Sequence, residues 1–263
     1  MPEETTQLAL SGEPPIAENE QVKALLVLLK ENDTPGWREF AVLISHVSGM
    51  ERQLSEALEE LQSIRQKIDE VQDRSLKATL QKAGKSLEKN VDALRQRLST
   101  LKEQIVGGCK NILEDFKVRG SAALNGITGF LHLKPALEAV QAAAQKSIEA
   151  SDRAAARIDA FSTEFHEAGR HLKNMGRSIR GREAQSEAKE NGKIARAFKG
   201  GLKVERAFLS AVEKGAGHSL DSLARLEQAA QRRPSVLKTM KEQAAKAEKE
   251  RSVPAPSRDK GSR

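Results

Sequence analysis

Residues 40–71 read FAVLISHVSGMERQLSEALEELQSIRQKIDEV, and this stretch indicates the architecture of the chain. Apolar residues recur at alternating steps of three and four, with Glu, Arg and Gln between them, which is the heptad pattern of a coiled-coil seam. The seam residues are Phe40, Leu43, Val47, Met50, Leu54, Ala57, Leu61, Ile64, Ile68 and Val71. The pattern therefore predicts one long helix with a continuous apolar stripe.

A second heptad pattern follows, and its phase does not continue the first. Its seam residues are Leu80, Gly84, Leu87, Val91, Leu94, Leu98, Leu101 and Ile105. Residues 35–75 carry a net charge of −3 and residues 76–105 carry +4, which favours pairing between the two arms. We therefore predict an antiparallel coiled-coil hairpin at residues 35–105, with a break at 73–75. One long bent helix stays an alternative, because the break contains neither Gly nor Pro.

Composition supports an all-α fold of long helices. The 263 residues are 38% hydrophobic, 31% charged and only 3% aromatic, and a ring-poor core suits long helices better than a sandwich or an α/β domain. The single cysteine, Cys109, excludes an intrachain disulfide and a multi-cysteine zinc site, which favours a cytoplasmic location. No stretch of 18 uncharged apolar residues occurs, so we expect no transmembrane segment.

Prolines and charge divide the chain into segments, since proline is rare inside helices. The predicted segments are a disordered tail at 1–15, a short N-terminal helix at 16–34, the hairpin at 35–105, glycine-punctuated amphipathic helices at 106–180, a linker at 181–192, basic C-terminal helices at 193–250 and a disordered tail at 251–263. Asn19 is the predicted N-cap of the short helix. Thr34 is the predicted cap of the next helix, with Pro35 at its first position.

Glycines interrupt the apolar stripe between residues 106 and 134. They are Gly107, Gly108, Gly120, Gly126 and Gly129. Each glycine lowers helix stability by about 1 kcal/mol, so a compensating reason for them is expected. We predict close contact between helices at these positions.

Three motifs resemble reactive sites, but their residue spacing or their sequence context does not meet the requirements of those sites. Residues 79–86 end like a phosphate-binding loop, but Thr79 replaces the first glycine and the motif lies inside a heptad. His166 and His171 are five residues apart, whereas two zinc ligands on one helix face need a spacing of four. Cys109 lies on an apolar face and is predicted to be a buried, inert thiol. We therefore expect no catalytic residue, no cofactor, no metal and no enzymatic activity.

A basic amphipathic helix is the strongest candidate for an interaction. Its cations, Lys193, Arg196, Lys199, Lys203 and Arg206, recur every three or four residues beside an apolar stripe that includes Phe198 and Leu202. Such a helix binds nucleic acid, anionic lipid or an acidic protein face, including the acidic N-terminal part of this chain. The alternative is the solvated outer face of a bundle helix.

Four segments resemble an uncharacterised family of helical proteins carried on integrative and conjugative elements of Firmicutes. They are ENEQVKALL at 18–26, ALNG at 123–126, EFHEAGRHLKNMGR at 164–177 and RPSVL at 233–237. The resemblance extends from about Ile16 to Leu237. It implies a bacterial cytosolic accessory protein of a mobile element, and it assigns no activity, cofactor or site residue.

These observations favour a non-enzymatic helical interaction or scaffold protein with a protein partner of unknown identity. A sequence-independent nucleic-acid accessory protein, acting through the basic C-terminal half, is the first alternative. A peripheral membrane-surface protein is the second, with the helices at 106–134 or 193–212 lying in the interface. A homo-oligomer stays open.

Overall fold

The computed structural model describes residues 14–71, 74–178 and 193–251. After a 3-10 turn at Ile16–Glu18, the helices are α1 (Glu20–Glu31), α2 (Trp37–Asp69), α3 (Arg74–Arg119), α4 (Lys134–Ser178) and α5 (Lys193–Arg251), and a 3-10 segment, Gly120–Leu133, joins α3 to α4. These described residues contain no strand, so the predicted all-α class is confirmed. Most of the predicted tails and the predicted linker lie outside the described residues.

Helices α2 and α3 are separate and antiparallel. Helix α2 ends at Asp69, where Lys77 Nζ lies 3.8 Å from its carboxylate. Further along, Lys102 Nζ of α3 lies 3.1 Å from Glu51 Oε1 of α2. Residue numbers thus rise along one helix as they fall along the other. The predicted antiparallel pair is confirmed. Because α2 ends at Asp69 and α3 begins at Arg74, Arg74 and Ser75 of the predicted break at 73–75 belong to α3.

Helix α5 runs antiparallel to both α2 and α4. The rings of His46 and His218 lie 5.4 Å apart between α2 and α5. The Ser151 hydroxyl of α4 donates to the Leu202 carbonyl of α5 at 3.2 Å. Helix α2 packs more extensively on α5 than on α3, and α4 lies between α5 and α3. The four long helices therefore form an up-down-up-down bundle.

The heptad seams face the shared core of this bundle. Every seam residue of the two stretches is buried, and all but Gly84 join one apolar cluster with residues of α4 and α5, such as Ile158 and Leu209. Four apolar stripes around one core bury more apolar surface than two helices alone, and this burial stabilises the fold. The seam that predicts a two-helix hairpin is thus completed by two further helices.

The structure confirms one predicted helix start and corrects the other. Asn19 caps α1, since its side-chain oxygen accepts from the backbone N–H groups of Gln21 and Val22 at 3.0 and 3.4 Å. Helix α2 begins at Trp37, so the predicted start at Thr34–Pro35 is wrong. Its N-cap is Gly36 at φ +82°, a conformation that glycine adopts without strain.

Close packing explains one of the five glycines between residues 106 and 134, Gly108. A Cβ on Gly108 would lie 2.7 Å from Phe130 Cε1, whereas one on Gly126 would make an ordinary contact of 3.4 Å with Ile112 Cγ1. Gly120 directly follows the end of α3 and has a φ of +60°, so backbone conformation explains why this residue is a glycine. Side chains at Gly107 and Gly129 would meet nothing within 4 Å, so the prediction of close contact is wrong for these two.

Gly108→Ala and Gly107→Ala are expected to change stability in opposite directions. Both positions lie inside α3, where alanine is favoured over glycine by about 1 kcal/mol. At Gly108 the added methyl group would overlap the buried Phe130 ring, and overpacking of this kind destabilises by about 1–3 kcal/mol. Urea unfolding should therefore show a stabilised Gly107→Ala chain and a destabilised Gly108→Ala chain. Equal stabilisation of both would contradict the close contact.

Candidate functional site

The basic part of α5 turns its apolar side into the bundle. Phe198 and Leu202 are each 2% exposed and belong to the core cluster. Arg196, Lys203 and Arg206 are exposed, and Lys199 is half-buried; the side chain of Lys193 lies outside the described residues. The predicted amphipathic helix is therefore a bundle helix with a cationic outer face.

An open groove of about 330 Å³ runs between this face and α4. Its lining residues are Ser151, Asp152, Ala155, Lys199, Gly200, Leu202, Lys203 and Arg206. Three of the five predicted cations thus line one groove. The structure brings them together because α5 and α4 pack antiparallel at this level of the bundle.

Aspartates of α4 neutralise two of the groove cations. Lys199 Nζ donates to the two carboxylate oxygens of Asp159 at 2.7 and 2.9 Å, and Arg206 Nε donates to Asp152 at 2.7 Å. Lys203, between them in sequence, makes no ion pair with any residue that the structure describes. The groove therefore presents cations and carboxylates side by side.

Glu205 departs from the cationic face and lies in the core. Its residue is 0% exposed, and its two carboxyl oxygens have no hydrogen-bond partner within the described part of the chain. The carboxylate of Glu60 on α2 is close by, since a Cβ on Gly201, one turn before Glu205, would lie 2.7 Å from Glu60 Oε1. Ser151 is also adjacent, but its one hydroxyl hydrogen is donated to Leu202.

Burial raises the pKa of Glu205 to about 8, because desolvation disfavours the charged form. The neighbouring Glu60 carboxylate raises the pKa further. Glu205 is therefore mainly protonated and neutral at pH 7. Sequence reasoning missed this residue as a core position, although its spacing showed it: Glu205 lies three residues after Leu202 and four before Leu209, both buried.

Most of the described apolar residues that suggested membrane contact are buried. In the segment 106–134, the side chains of Cys109, Leu124, Ile127 and Phe130 are at most 2% exposed, whereas Leu113 and Phe116 are partly buried. On the 193–212 helix, Phe198, Leu202 and Leu209 lie in the core. No described helix is long and apolar enough to cross a membrane.

The remaining sequence candidates take ordinary helical positions where the structure describes them. Burial raises the pKa of the Cys109 thiol to about 12, which makes it a poor nucleophile. Residues 79–86 lie inside α3, without the preceding strand that a phosphate-binding loop needs. The side chains of His166 and His171 are outside the described residues. Elsewhere in the described chain no three His, Cys, Asp or Glu side chains cluster as a metal site would require.

A histidine pair between α2 and α5 was not expected from the sequence. His46 is half-buried against His218, and burial together with the neighbouring imidazole lowers the pKa of His46. The two residues are 172 positions apart in sequence, so no local pattern indicates the pair.

The fold and the groove define an all-α bundle of four long helices with a mixed-charge groove between α4 and α5. The chain belongs to a family of unknown function, DUF6674, whose match covers residues 18–263. The predicted membership in an uncharacterised family is thereby confirmed. No curated protein and no solved structure shows a significant match to the chain.

Proposed function

We propose that this protein is a non-enzymatic helical interaction protein that binds a protein partner in the groove between α4 and α5. On the resemblance of residues 18–26 and 164–177, we further propose a cytoplasmic accessory role on a bacterial mobile element. The observation that carries the proposal is the presence of both signs of charge at the groove. Asp152, Lys199, Lys203 and Arg206 line it, and Asp159 pairs with Lys199 beside it.

Mixed charge favours a protein partner over a polyphosphate. A nucleic-acid backbone is uniformly negative, so it would meet the carboxylates of Asp152 and Asp159 as well as cations that these residues already neutralise. A protein surface carries both signs and can complement the pattern, which gives specificity and orientation to an interface. Lys203, exposed at the centre of the cationic side, is positioned to pair with an acidic residue of the partner.

The state of the groove side chains supports recognition rather than acid–base chemistry. Lys199 and Arg206 are held by ion pairs, and the Ser151 hydroxyl donates to a main-chain carbonyl. A general base or nucleophile must be oriented toward a substrate by a neighbouring group. Here the neighbouring groups orient the side chains toward each other.

Neutralising the groove cations is expected to weaken partner binding. We would compare Lys199→Gln/Lys203→Gln/Arg206→Gln with a matched variant, Lys82→Gln/Lys85→Gln/Lys89→Gln, which removes the same charge from exposed positions of α3. Surface ion pairs contribute about 0–1 kcal/mol each, so both variants should fold. A photoreactive amino acid at Ala155 would crosslink the partner in host cells, and the purified partner would then be titrated at physiological salt. We expect at least tenfold weaker binding of the groove variant only.

The same variants also test the two alternative functions, nucleic-acid binding and membrane-surface binding. Duplex DNA binding that falls with salt at a log–log slope of about −2.7, for about three phosphates, and that only the groove variant loses would support the nucleic-acid hypothesis instead. Flotation of wild-type protein with anionic liposomes at physiological salt would support a membrane role. Equal loss of partner binding in both triple variants would show that net charge, and not the groove, governs association.

A further inference from the structure

A buried ion pair joins α2 to α3 and also holds the segment that precedes α1. Lys102 Nζ lies 3.1 Å from Glu51 Oε1, and these side chains are only 5% and 7% exposed. The second oxygen of Glu51 accepts from the backbone N–H of Ile16 at 2.8 Å. Lys102 Nζ also donates to the carbonyl oxygen of Pro14 at 2.6 Å. Each charged side chain thus makes one bond to the other and one to the main chain of residues 14–16.

The two charged side chains also supply hydrogen-bond partners to the main chain of residues 14–16. Removing two charges from water is costly, and well-packed apolar residues often stabilise such a position as well as an ion pair or better. The ion pair additionally binds two main-chain groups that are two residues apart, the Pro14 carbonyl and the Ile16 N–H. Lys102 and Glu51 therefore act on the main chain of residues 14–16 as a donor and an acceptor at fixed positions.

Glu51 and Lys102 contact only a few groups of residues 14–16, and another peptide could supply the same groups. Pro15, between the two bonds, is in the polyproline II conformation at φ −51° and ψ 149°, and it has no N–H that needs a partner. The Ile16 side chain is 0% exposed in the core, whereas Pro14, Ala17 and Glu18 are exposed. Two main-chain bonds and one aliphatic side chain can be supplied by any extended peptide that contains Pro-Pro followed by an aliphatic residue.

We propose that Glu51, Lys102 and the pocket of Ile16 form a peptide-binding clamp for a proline–proline–aliphatic segment of a protein partner. The chain's own residues 14–16 occupy the clamp in this structure. An attached occupant competes at an effective concentration of the order of millimolar, so the partner segment binds when residues 14–16 leave. The clamp is separate from the groove between α4 and α5. Residues 14–16 of the chain inhibit the clamp while they are bound in it.

Weakening the attached occupant is expected to open the clamp to a peptide added in solution. The probe is a fluorescent peptide with the sequence of residues 12–20, GEPPIAENE, titrated into the full chain by anisotropy. The Ile16→Gly chain should bind it at least tenfold more tightly than the wild-type chain. A peptide with Gly in place of the isoleucine should bind at least tenfold more weakly.

Clamp variants locate the binding. In the Ile16→Gly chain, adding Lys102→Met should remove peptide binding, whereas adding Lys89→Gln, an exposed position of the same helix, should leave it unchanged. Equal binding by the Lys102→Met and Lys89→Gln chains would overturn the proposal. So would the absence of binding by an Ile16→Gly chain whose circular dichroism and urea unfolding show the folded bundle.

Hydrogen exchange of the wild-type chain gives a second test that needs no variant. If residues 14–16 leave the clamp while the bundle stays folded, the Ile16 amide exchanges through a local opening. We expect it to exchange at least tenfold faster than the amides of Leu54 and Leu98 in the bundle core. Equal rates would mean that the segment leaves only when the whole protein unfolds, which would overturn the proposal.

Discussion

Glu205→Gln is expected to raise the free energy of unfolding by about 3 kcal/mol at pH 7. The wild-type carboxyl group is buried without a hydrogen-bond partner in the described structure, next to Glu60. It must take up a proton on folding at this pH. Glutamine has nearly the same shape and is neutral at every pH. The variant therefore folds without that proton uptake.

The effect depends on pH in a defined direction. The pKa of Glu205 rises from its ordinary value of 4.5 to about 8 on folding. Below pH 4.5 the folded and unfolded states both hold the proton, so the group has no effect on stability. Between pH 4.5 and 8 the unfolded chain releases the proton and the folded chain keeps it, so wild-type stability falls as pH rises. Above the folded-state pKa the loss is complete.

Urea unfolding of both chains at pH 4.5, 7 and 9 measures this effect. The stability difference between Glu205→Gln and wild type should be near zero, then about 3 and then about 5 kcal/mol, since each pKa unit corresponds to about 1.4 kcal/mol. Glu59→Gln, at an exposed position of α2, is the matched control and should show no such trend. A difference that is the same at all three pH values would show that folding does not raise the pKa of Glu205.

The sequence predicts the helices more completely than their partners. Heptad phase and opposite charge locate the boundary between α2 and α3, because these signals are local. The partner of each stripe depends on how all four helices close around the core. Met50 lies against Gly215 and Ile64 against Gly201, contacts that no heptad pattern relates. The stripe of residues 40–71 therefore predicts a buried seam and not its main neighbour, α5.

At the candidate site too, the sequence predicts local features and not the contacts between distant residues. Spacing alone predicts the cations of α5. The ion pairs of Lys199 and Arg206 join residues 40 and 54 positions apart, so no local pattern reveals that Asp159 and Asp152 neutralise them. At the start of α2, the positive φ of Gly36 outweighs the capping tendency of Thr34 and the helix-opening tendency of Pro35.

Leu61→Asp is expected to destabilise the protein by about 4 kcal/mol or more, enough to unfold a marginally stable bundle. Leu61 is 5% exposed in the seam of α2. The substitution removes buried apolar contacts and places a carboxylate in a seam of buried apolar side chains. Val42→Asp is the matched control, because Val42 lies on the same helix and is 45% exposed, and its effect should stay within about 0.5 kcal/mol.

Because this seam lies in a core shared by four helices, the loss should appear as one cooperative transition. Circular dichroism reports all the helices, and the fluorescence of Trp37, the only tryptophan, reports the start of α2. In a shared core the two urea curves of Leu61→Asp shift together to lower urea. Separate midpoints for the two probes would mean that α2 and α3 form an independent hairpin. An unchanged midpoint would mean that the seam is exposed to solvent.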